Sequence, residues 1–264
     1  MKYKLFELTG RKVIEVALSM GKFTRLVTET SYWVLRGSIN IRNTIIQMVK
    51  VGWDSLPVIC LTSLFTGMVL SLQAGSATRN VFNEPVYVGT LVGFSLVKEL
   101  GPVMTAIVLA GRVGASIAAE LGTMKVTEQL DALRTLGTNP VKYLAVPRFL
   151  AFITMMPLLG VIANIVGILG GMMVASNVMN VPTTVFWEDI VTFMDMGDFF
   201  HGFIKTVVFA AIVVFVSCYQ GFECEPGAEG VGKATTDAVM ISMILILVSD
   251  YFLTAVLRAS GIGG

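Results

Sequence analysis

The chain has 264 residues, 55% of them hydrophobic and only 14% charged, with a mean hydropathy of +0.77; that balance belongs to a polytopic membrane protein and excludes an ordinary soluble domain. A formal net charge of +1 argues against bulk electrostatic binding of nucleic acid, which needs a basic surface. Cys60, Cys218 and Cys224 are an odd number in no metal-ligand spacing, and His201 is the single histidine, so neither a disulfide framework nor a metal centre is indicated.

Residues 1–54 precede the first crossing and are neither a signal peptide nor a spanning helix, because no uninterrupted apolar core follows the first basic residues. Val13, Val16, Ala17, Met20, Phe23 and Val27 fall on one helical face, with Glu15, Ser19, Lys22, Arg25 and Glu29 on another. This pattern predicts a helix lying in the membrane interface or packed on the rest of the protein; Leu18 and Leu26 blur the stripe.

A hydrocarbon layer takes about 20 apolar helical residues to cross. Ser55 to Thr78 carries no Asp, Glu, Lys or Arg and opens with Ser55 and Pro57, which suit a first helical turn. Tyr87 to about Ala119 is the second apolar stretch, interrupted by Lys98, Glu99 and Arg112. At about 1.5 Å per residue, Lys98 lies ~16 Å into that helix, near the bilayer midplane. A central charge facing lipid costs on the order of 3 kcal/mol, so Lys98 and Glu99 should face protein or a wet cavity. Being adjacent, they point about 100° apart and do not neutralise each other along one face. Pro102 cannot donate to the carbonyl of Lys98, which frees a backbone acceptor beside the charges. A structural ion-pair network and a lined substrate cavity both fit, and the cavity is the favoured reading. Arg112, further along, reads as an anchor that snorkels to phosphates. Ala106, Ala110, Gly114, Ala118 and Gly122 form a small-residue ridge, and Gly89 with Gly93 and Gly167 with Gly171 are further close-packing pairs.

Residues 123–147 form an elbow between the second and third spans. Thr127 to Leu136 predicts a short amphipathic helix with Leu130 and Leu133 on one side, Glu128 and Asp131 early and Arg134 late, ended by Gly137. Asn139 and Pro140 then cap and start a second short helix that stops before Pro147. Such an elbow suits docking of another protein, or is a well-capped surface loop.

Phe149 to Trp187 is uncharged and longer than one crossing needs; it is read as one span, the alternative being two about a turn at Gly170 and Gly171. Thr206 to Phe222 and Ala238 to Leu257 complete five spans within a transmembrane domain at 55–258. Lys and Arg then concentrate in the N-terminal segment, the elbow and the loop at Lys233, whereas the opposite side holds only Arg79, Lys205 and Arg258. By the positive-inside rule the N-terminus is cytoplasmic and the C-terminus lies outside.

Gly227 to Lys233 imitates a phosphate-binding loop, but Ala234 stands where the magnesium-binding hydroxyl belongs and no strand precedes it. The glycines are read as a tight loop, with Thr235 or Thr236 capping the last span, so a nucleotide would have to be bound by a separate subunit. An ion-coupled secondary carrier using Glu99, Glu120 and Asp250 is a second function class. An intramembrane hydrolase pairing Ser116 or Ser217 with His201 is a third, and weakly placed.

The ordered motifs Gly67-Met68-Val69-Leu70-Ser71-Leu72-Gln73, Lys98-Glu99-Leu100-Gly101-Pro102, Ala110-Gly111-Arg112, Ala119-Glu120-Leu121-Gly122, Thr127 to Asp131, Asn139-Pro140, Pro147-Arg148 and Gly232 to Thr236 resemble the MlaE-type permeases, from about residue 50 to 257. The resemblance implies the membrane subunit of an ABC transporter of the bacterial inner membrane, with a periplasmic C-terminus. It implies a homodimer of five-span, all-α subunits, each with an N-terminal interfacial helix and a cytoplasmic coupling helix between the second and third spans. The implied cargo is phospholipid, exchanged with a hexamer of MCE-domain subunits on the outer side. Energy comes from cytoplasmic ABC ATPase subunits, and some members add a STAS-domain subunit. Residues matching the family's cavity lining are Leu70, Lys98, Glu99 and Leu100; those matching the ATPase-coupling helix are Glu128, Leu130, Asp131, Leu133 and Arg134. No cofactor, metal or catalytic residue is implied.

Overall fold

The computed structural model describes residues 2–37, 40–82 and 87–261, with side-chain surroundings for 14–37, 40–80 and 87–261. Among the described residues the chain is helical and holds no strand. Five helical stretches are long and apolar enough to cross a membrane: Ile41–Asn80 (span 1), Val88–Val126 (span 2), Val141–Val178 (span 3), Met196–Phe222 (span 4) and Ala228–Ala259 (span 5). The protein is therefore an all-α polytopic membrane protein with the five crossings expected.

The N-terminal helix, Lys2–Leu35, divides the predicted stripe in two. Val13 lies outside the described side chains, and Val16 and Met20 are exposed. The docked face is instead carried by Leu26 and Thr30, both buried, and by Phe23, which packs edge-on against Tyr219 of span 4. Leu26 thus anchors the helix rather than blurring it. Span 1 begins earlier than Ser55: Ile41–Val51 is a helix capped by the Asn40 side chain, and only a short turn at Trp53–Ser55 separates it from Leu56–Phe82.

Span 2 is a helix with two wide, i→i+5 bonded turns, Ser95–Leu100 and Ala110–Gly114. The first ends at Leu100, so Pro102 falls in the opening turn of the α-helical stretch Gly101–Leu109, where its missing N–H and its ring are tolerated. The small-residue ridge is buried along its length, from Ala106 to Gly122. Span 4 lies against it: a Cβ at Gly114 would meet Ser217, and one at Gly221 would meet Leu121 and the Ala118 carbonyl.

Two points about the third region are decided: it is the one span expected, and the short helix before it ends later than expected. Gly170 and Gly171 do not turn the chain; both lie inside span 3, where the missing Cβ admits span 1 at the Leu64 carbonyl and span 2 at Val92. Glycine pairs serve turns and close helix contacts alike, and here the contact wins. Secondly, the short helix after Asn139 does not stop before Pro147 but runs unbroken into the span. Asn139 Oδ1 does accept from the Val141 N–H at 2.9 Å, as a cap should. The turn Val141–Ala145 is again i→i+5 bonded, which displaces the carbonyl that the Pro147 ring would otherwise strike.

Span 3 ends at a left-handed Asn180 before Pro182. The remaining apolar residues form Thr183–Phe193, a helix that packs on span 2 where Gly89 lets the Phe186 carbonyl approach. Asp189 sits on the same contact, and burial raises its carboxyl above the usual range against the opposing hydrogen bond from the Gly89 backbone. Span 4 opens with a reciprocal capping box between Asp195 and Asp198, ten residues before the predicted start at Thr206. Span 5 starts at Ala228, capped by Gly227 at φ +94°. Thr235 and Thr236 are consequently inside the helix, bonded to the carbonyls of Val231 and Gly232, and do not cap it. Gly232 and Lys233 are helical as well, which removes the loop that a phosphate cradle requires.

Candidate functional site

Lys98 and Glu99 each find a partner on span 4, and because they diverge around the helix, the partners differ. Lys98 Nζ lies 2.7 Å from Asp198 Oδ1 and 4.5 Å from the Phe94 ring centroid. Glu99 Oε2 accepts from Lys205 Nζ at 2.5 Å. Lys205 also stands 2.9 Å from Asp250 Oδ1 on span 5, a charge contact without hydrogen-bond alignment. The Thr254 hydroxyl donates to Glu99 Oε1 at 3.3 Å. Two ammonium groups thus face three carboxylates across three helices.

The depth of this cluster follows from helix arithmetic. Lys98 is ten residues into span 2, Lys205 nine into span 4, and Asp250 nine before the end of span 5; at about 1.5 Å per residue each lies ~14–15 Å from the same side, half of a ~30 Å hydrocarbon layer. The cluster is closed on one side and open on the other. Lys205 has a side-chain exposure of 0% and Asp198 of 7%, whereas Glu99 retains 40% and both Lys98 and Asp250 retain 21%. Its interior is a buried ion-pair network and its edge is an accessible, charged surface at mid-membrane depth.

Backbone packing brings the network together. A Cβ at Gly202 would fall on the Val97 carbonyl, so its absence lets span 4 press onto the first wide turn of span 2. His201, buried beside it, faces the Lys98 backbone whose carbonyl Pro102 leaves free. Its role is therefore packing at the network. Ser217 is sixteen residues further along the same helix, ~24 Å away, which dismantles any nucleophile–base pair between them.

Of the four predicted cavity residues, Lys98 and Glu99 enter the network, while Leu70 and Leu100 are half-buried against the neighbouring apolar cluster of Val88, Val92 and Leu96. Sequence reasoning did not single out Asp198, Lys205 or Thr254 for the site. Asp250, a candidate for ion coupling in the sequence, is paired with Lys205 of span 4.

On the elbow side, the predicted helix is shortened to Gln129–Thr135, with Glu128 left-handed at φ +59° before it and Gly137 at φ +73° after it. Leu130 is buried against the protein, Leu133 is half-buried, and Asp131 pairs with Arg134 at 2.9 Å on the exposed face. Leu136 is the exposed apolar residue here, at 78%. The elbow, the N-terminal helix and the end of span 4 enclose a groove of about 630 Å³, bordered by Arg25, Glu29, Lys125, Arg134 and Phe222. Lys22 closes one end of it by donating to Glu223 at 2.6 Å, a bond that raises the ammonium pKa. Arg112 donates to Ser55 Oγ at 2.7 Å and so ties span 2 to the joint in span 1.

Comparison with known proteins places this architecture. A family model described as Permease MlaE matches residues 44–256. The chain is 40% identical over 257 residues to a probable ABC transporter permease protein of Rickettsia typhi, covering 97% of this chain and 99% of that one. It is 35% identical to the intermembrane phospholipid transport system permease protein MlaE of Haemophilus influenzae, covering 96% and 97%. It is also 37% identical to the chloroplastic protein trigalactosyldiacylglycerol 1 of Arabidopsis thaliana, over 84% of this chain and 63% of that one.

Proposed function

The chain belongs to the MlaE permease family, and from that premise we propose that it is the membrane subunit of an ABC transporter that moves phospholipid between the inner membrane and an MCE-domain carrier. ATP is hydrolysed by separate cytoplasmic subunits. The observation that carries this reading is the open edge of the charge network, Lys98, Glu99 and Asp250, held at mid-membrane depth beside the half-buried Leu70 and Leu100. Intramembrane ionisable groups mark substrate paths when they line an accessible surface. Withdrawing a two-chain lipid exposes hydrocarbon at about 0.8 kcal/mol per CH₂, on the order of 20 kcal/mol in total, so a carrier needs both apolar shelter and an energy source. Leu70 and Leu100 supply shelter, and Lys98 presents a cation to the phosphate. Two copies of the chain, each contributing this edge, enclose the lipid.

Lys98→Ala and Glu99→Ala, in a complex that still assembles, are expected to lower phospholipid transfer to MCE acceptors by at least about ten-fold. Fluorescent-lipid transfer between proteoliposomes and the acceptor measures this. Transfer at the wild-type rate in both variants would remove the pair from the lipid path.

The elbow is the contact for the ATPase. Glu128 sets its angle, Leu130 and Leu133 hold it to the permease, and the Asp131–Arg134 pair lies on its exposed face. The accessible apolar group is Leu136, so Leu136→Asp is expected to weaken co-purification of the ATPase while leaving the permease folded. Leu130→Asp, at a buried position, should lower the permease's own thermal midpoint instead. Equal ATPase recovery with Leu136→Asp would exclude that contact. The positive-inside distribution orients the elbow to the cytoplasm and the C-terminus to the periplasm.

The ion-coupled alternative fits less well. Glu120 is twenty-one residues from Glu99 along span 2, ~31 Å, and is paired with Lys50 and Arg148. Only Glu99 and Asp250 share a cation, Lys205.

A further inference from the structure

A second charge cluster sits at the elbow end of the bundle and belongs to neither the mid-membrane network nor the exposed face of the elbow. Glu120, seven residues before the elbow turn at Thr127, divides its carboxylate between two cations. Oε1 accepts from Lys50 Nζ at 2.9 Å and Oε2 from Arg148 Nη2 at 2.9 Å. Arg148 is eight residues past Pro140 on the opposite stem of the elbow, and Lys50 lies in Ile41–Val51, the first helix of span 1. The Arg148 side chain is 5% exposed, donates Nη1 to the Leu144 carbonyl at 3.2 Å, and leaves Nε without a partner. An arginine this enclosed and incompletely bonded is costly to keep, which calls for a reason beyond filling space.

We infer that Glu120 is a positioning residue that converts movement of the elbow into movement of span 1. The elbow helix is joined to its stems by two short connections, Thr127–Glu128 and Leu136–Pro140, each turning on one left-handed residue, Glu128 and Gly137. A displacement imposed on it by a nucleotide-driven partner is therefore handed to spans 2 and 3. Glu120 locks those stems together through Arg148 and adds Ile41–Val51 through Lys50. That helix passes through the turn Trp53–Ser55, held by Arg112, into the part of span 1 that carries Leu70. Removing the carboxylate charge leaves each helix intact but frees span 1 from the elbow. This inference rests on the proposed ATP-driven permease function and adds to it the route by which the two ends communicate.

The test uses the whole complex, permease with its ATPase subunits, reconstituted in phospholipid vesicles with an MCE acceptor. Glu120→Gln keeps shape and removes charge. The expected result is ATP hydrolysis within about two-fold of wild type and phospholipid transferred per ATP reduced about ten-fold, within the usual range of coupling between sites. Lys50→Gln should lower the same ratio, and the double variant should be no worse than Glu120→Gln alone, because both act on one connection. The inference is overturned if transfer per ATP in Glu120→Gln stays within about two-fold of wild type. It is equally overturned if, in both single variants, transfer falls only in proportion to assembled complex, since that is the signature of a static brace. A wild-type complex that hydrolyses ATP without moving lipid would overturn the permease reading, and this inference with it.

Discussion

Lys205→Met is expected to destabilise the protein by about 3 kcal/mol, the lower end of the cost of breaking a buried ion pair by removing one partner. Lys205 is fully enclosed and is the shared cation of Glu99 and Asp250. Methionine fills a similar volume, so what is lost is charge, and two carboxylates are left facing each other at mid-membrane depth. The 40% exposure of Glu99 lets solvent or headgroups relieve part of the penalty, which is why the lower figure applies. The thermal midpoint of the detergent-solubilised permease measures the effect. Adding Glu99→Gln and Asp250→Asn to Lys205→Met should recover most of the lost midpoint while transfer stays defective, because neutral groups no longer require the cation. An unchanged midpoint in Lys205→Met alone would mean that the carboxylates do not depend on Lys205.

Gly67→Val should be at least as damaging, for a reason of shape. The two helices touch backbone to backbone at this level: a Cβ at Gly67 would fall on the carbonyl of Gly167, and the next turn repeats the contact at Gly170 and Leu64. Main-chain atoms in a continuous helix cannot rotate aside as a side chain does. Spans 1 and 3 must part, at a cost of about 3 kcal/mol or more. Little folded protein is expected in membranes, measured as the monodisperse fraction after extraction. Gly111→Ala is the matched control, since nothing lies within 4 Å of a Cβ there, and it should be neutral or slightly stabilising. Equal yields of folded protein from the two variants would contradict the close approach.

The five crossings were legible because uncharged length is a strong signal in a chain with so little charge. Boundaries failed wherever charge is neutralised by distant partners. Span 4 reads as starting at Thr206 because Asp195, Asp198, His201 and Lys205 precede it, yet the helix begins at Met196. Lys98, Glu99 and Asp250 supply the counter-charges, and no local rule sees them. A fainter signal was present: Asp195 with Asp198 has capping-box spacing, and Asp198, His201, Gly202 and Lys205 share one helical face. The same applies to the site. Lys98 and Glu99 stood out by depth, but their partners lie about a hundred residues further along the chain. Gly170 and Gly171 show the opposite ambiguity, since composition alone does not separate a bend from a tight helix crossing. Leu26 was discounted because an amphipathic pattern averages over a whole helix, while the docked residues among those described, Phe23, Leu26 and Thr30, lie in its second half.

The wide turns of span 2 bear on how this helix tolerates insertions and deletions. Small residues spaced by four lag an ideal helix by about 40° at each step, so over Ala106 to Gly122 the ridge would spiral away from span 4 by roughly 160°. Each wide turn absorbs about one extra residue, and the one at Ala110–Gly114 resets the phase midway, which keeps both halves of the ridge aimed at the same neighbour. The turn at Ser95–Leu100 does the same for the orientation of Lys98 and Glu99 relative to that ridge. Losing one residue from either would leave a more regular helix pointing its halves at the wrong partners, so span 2 can change length only outside the interval from Ser95 to Gly114.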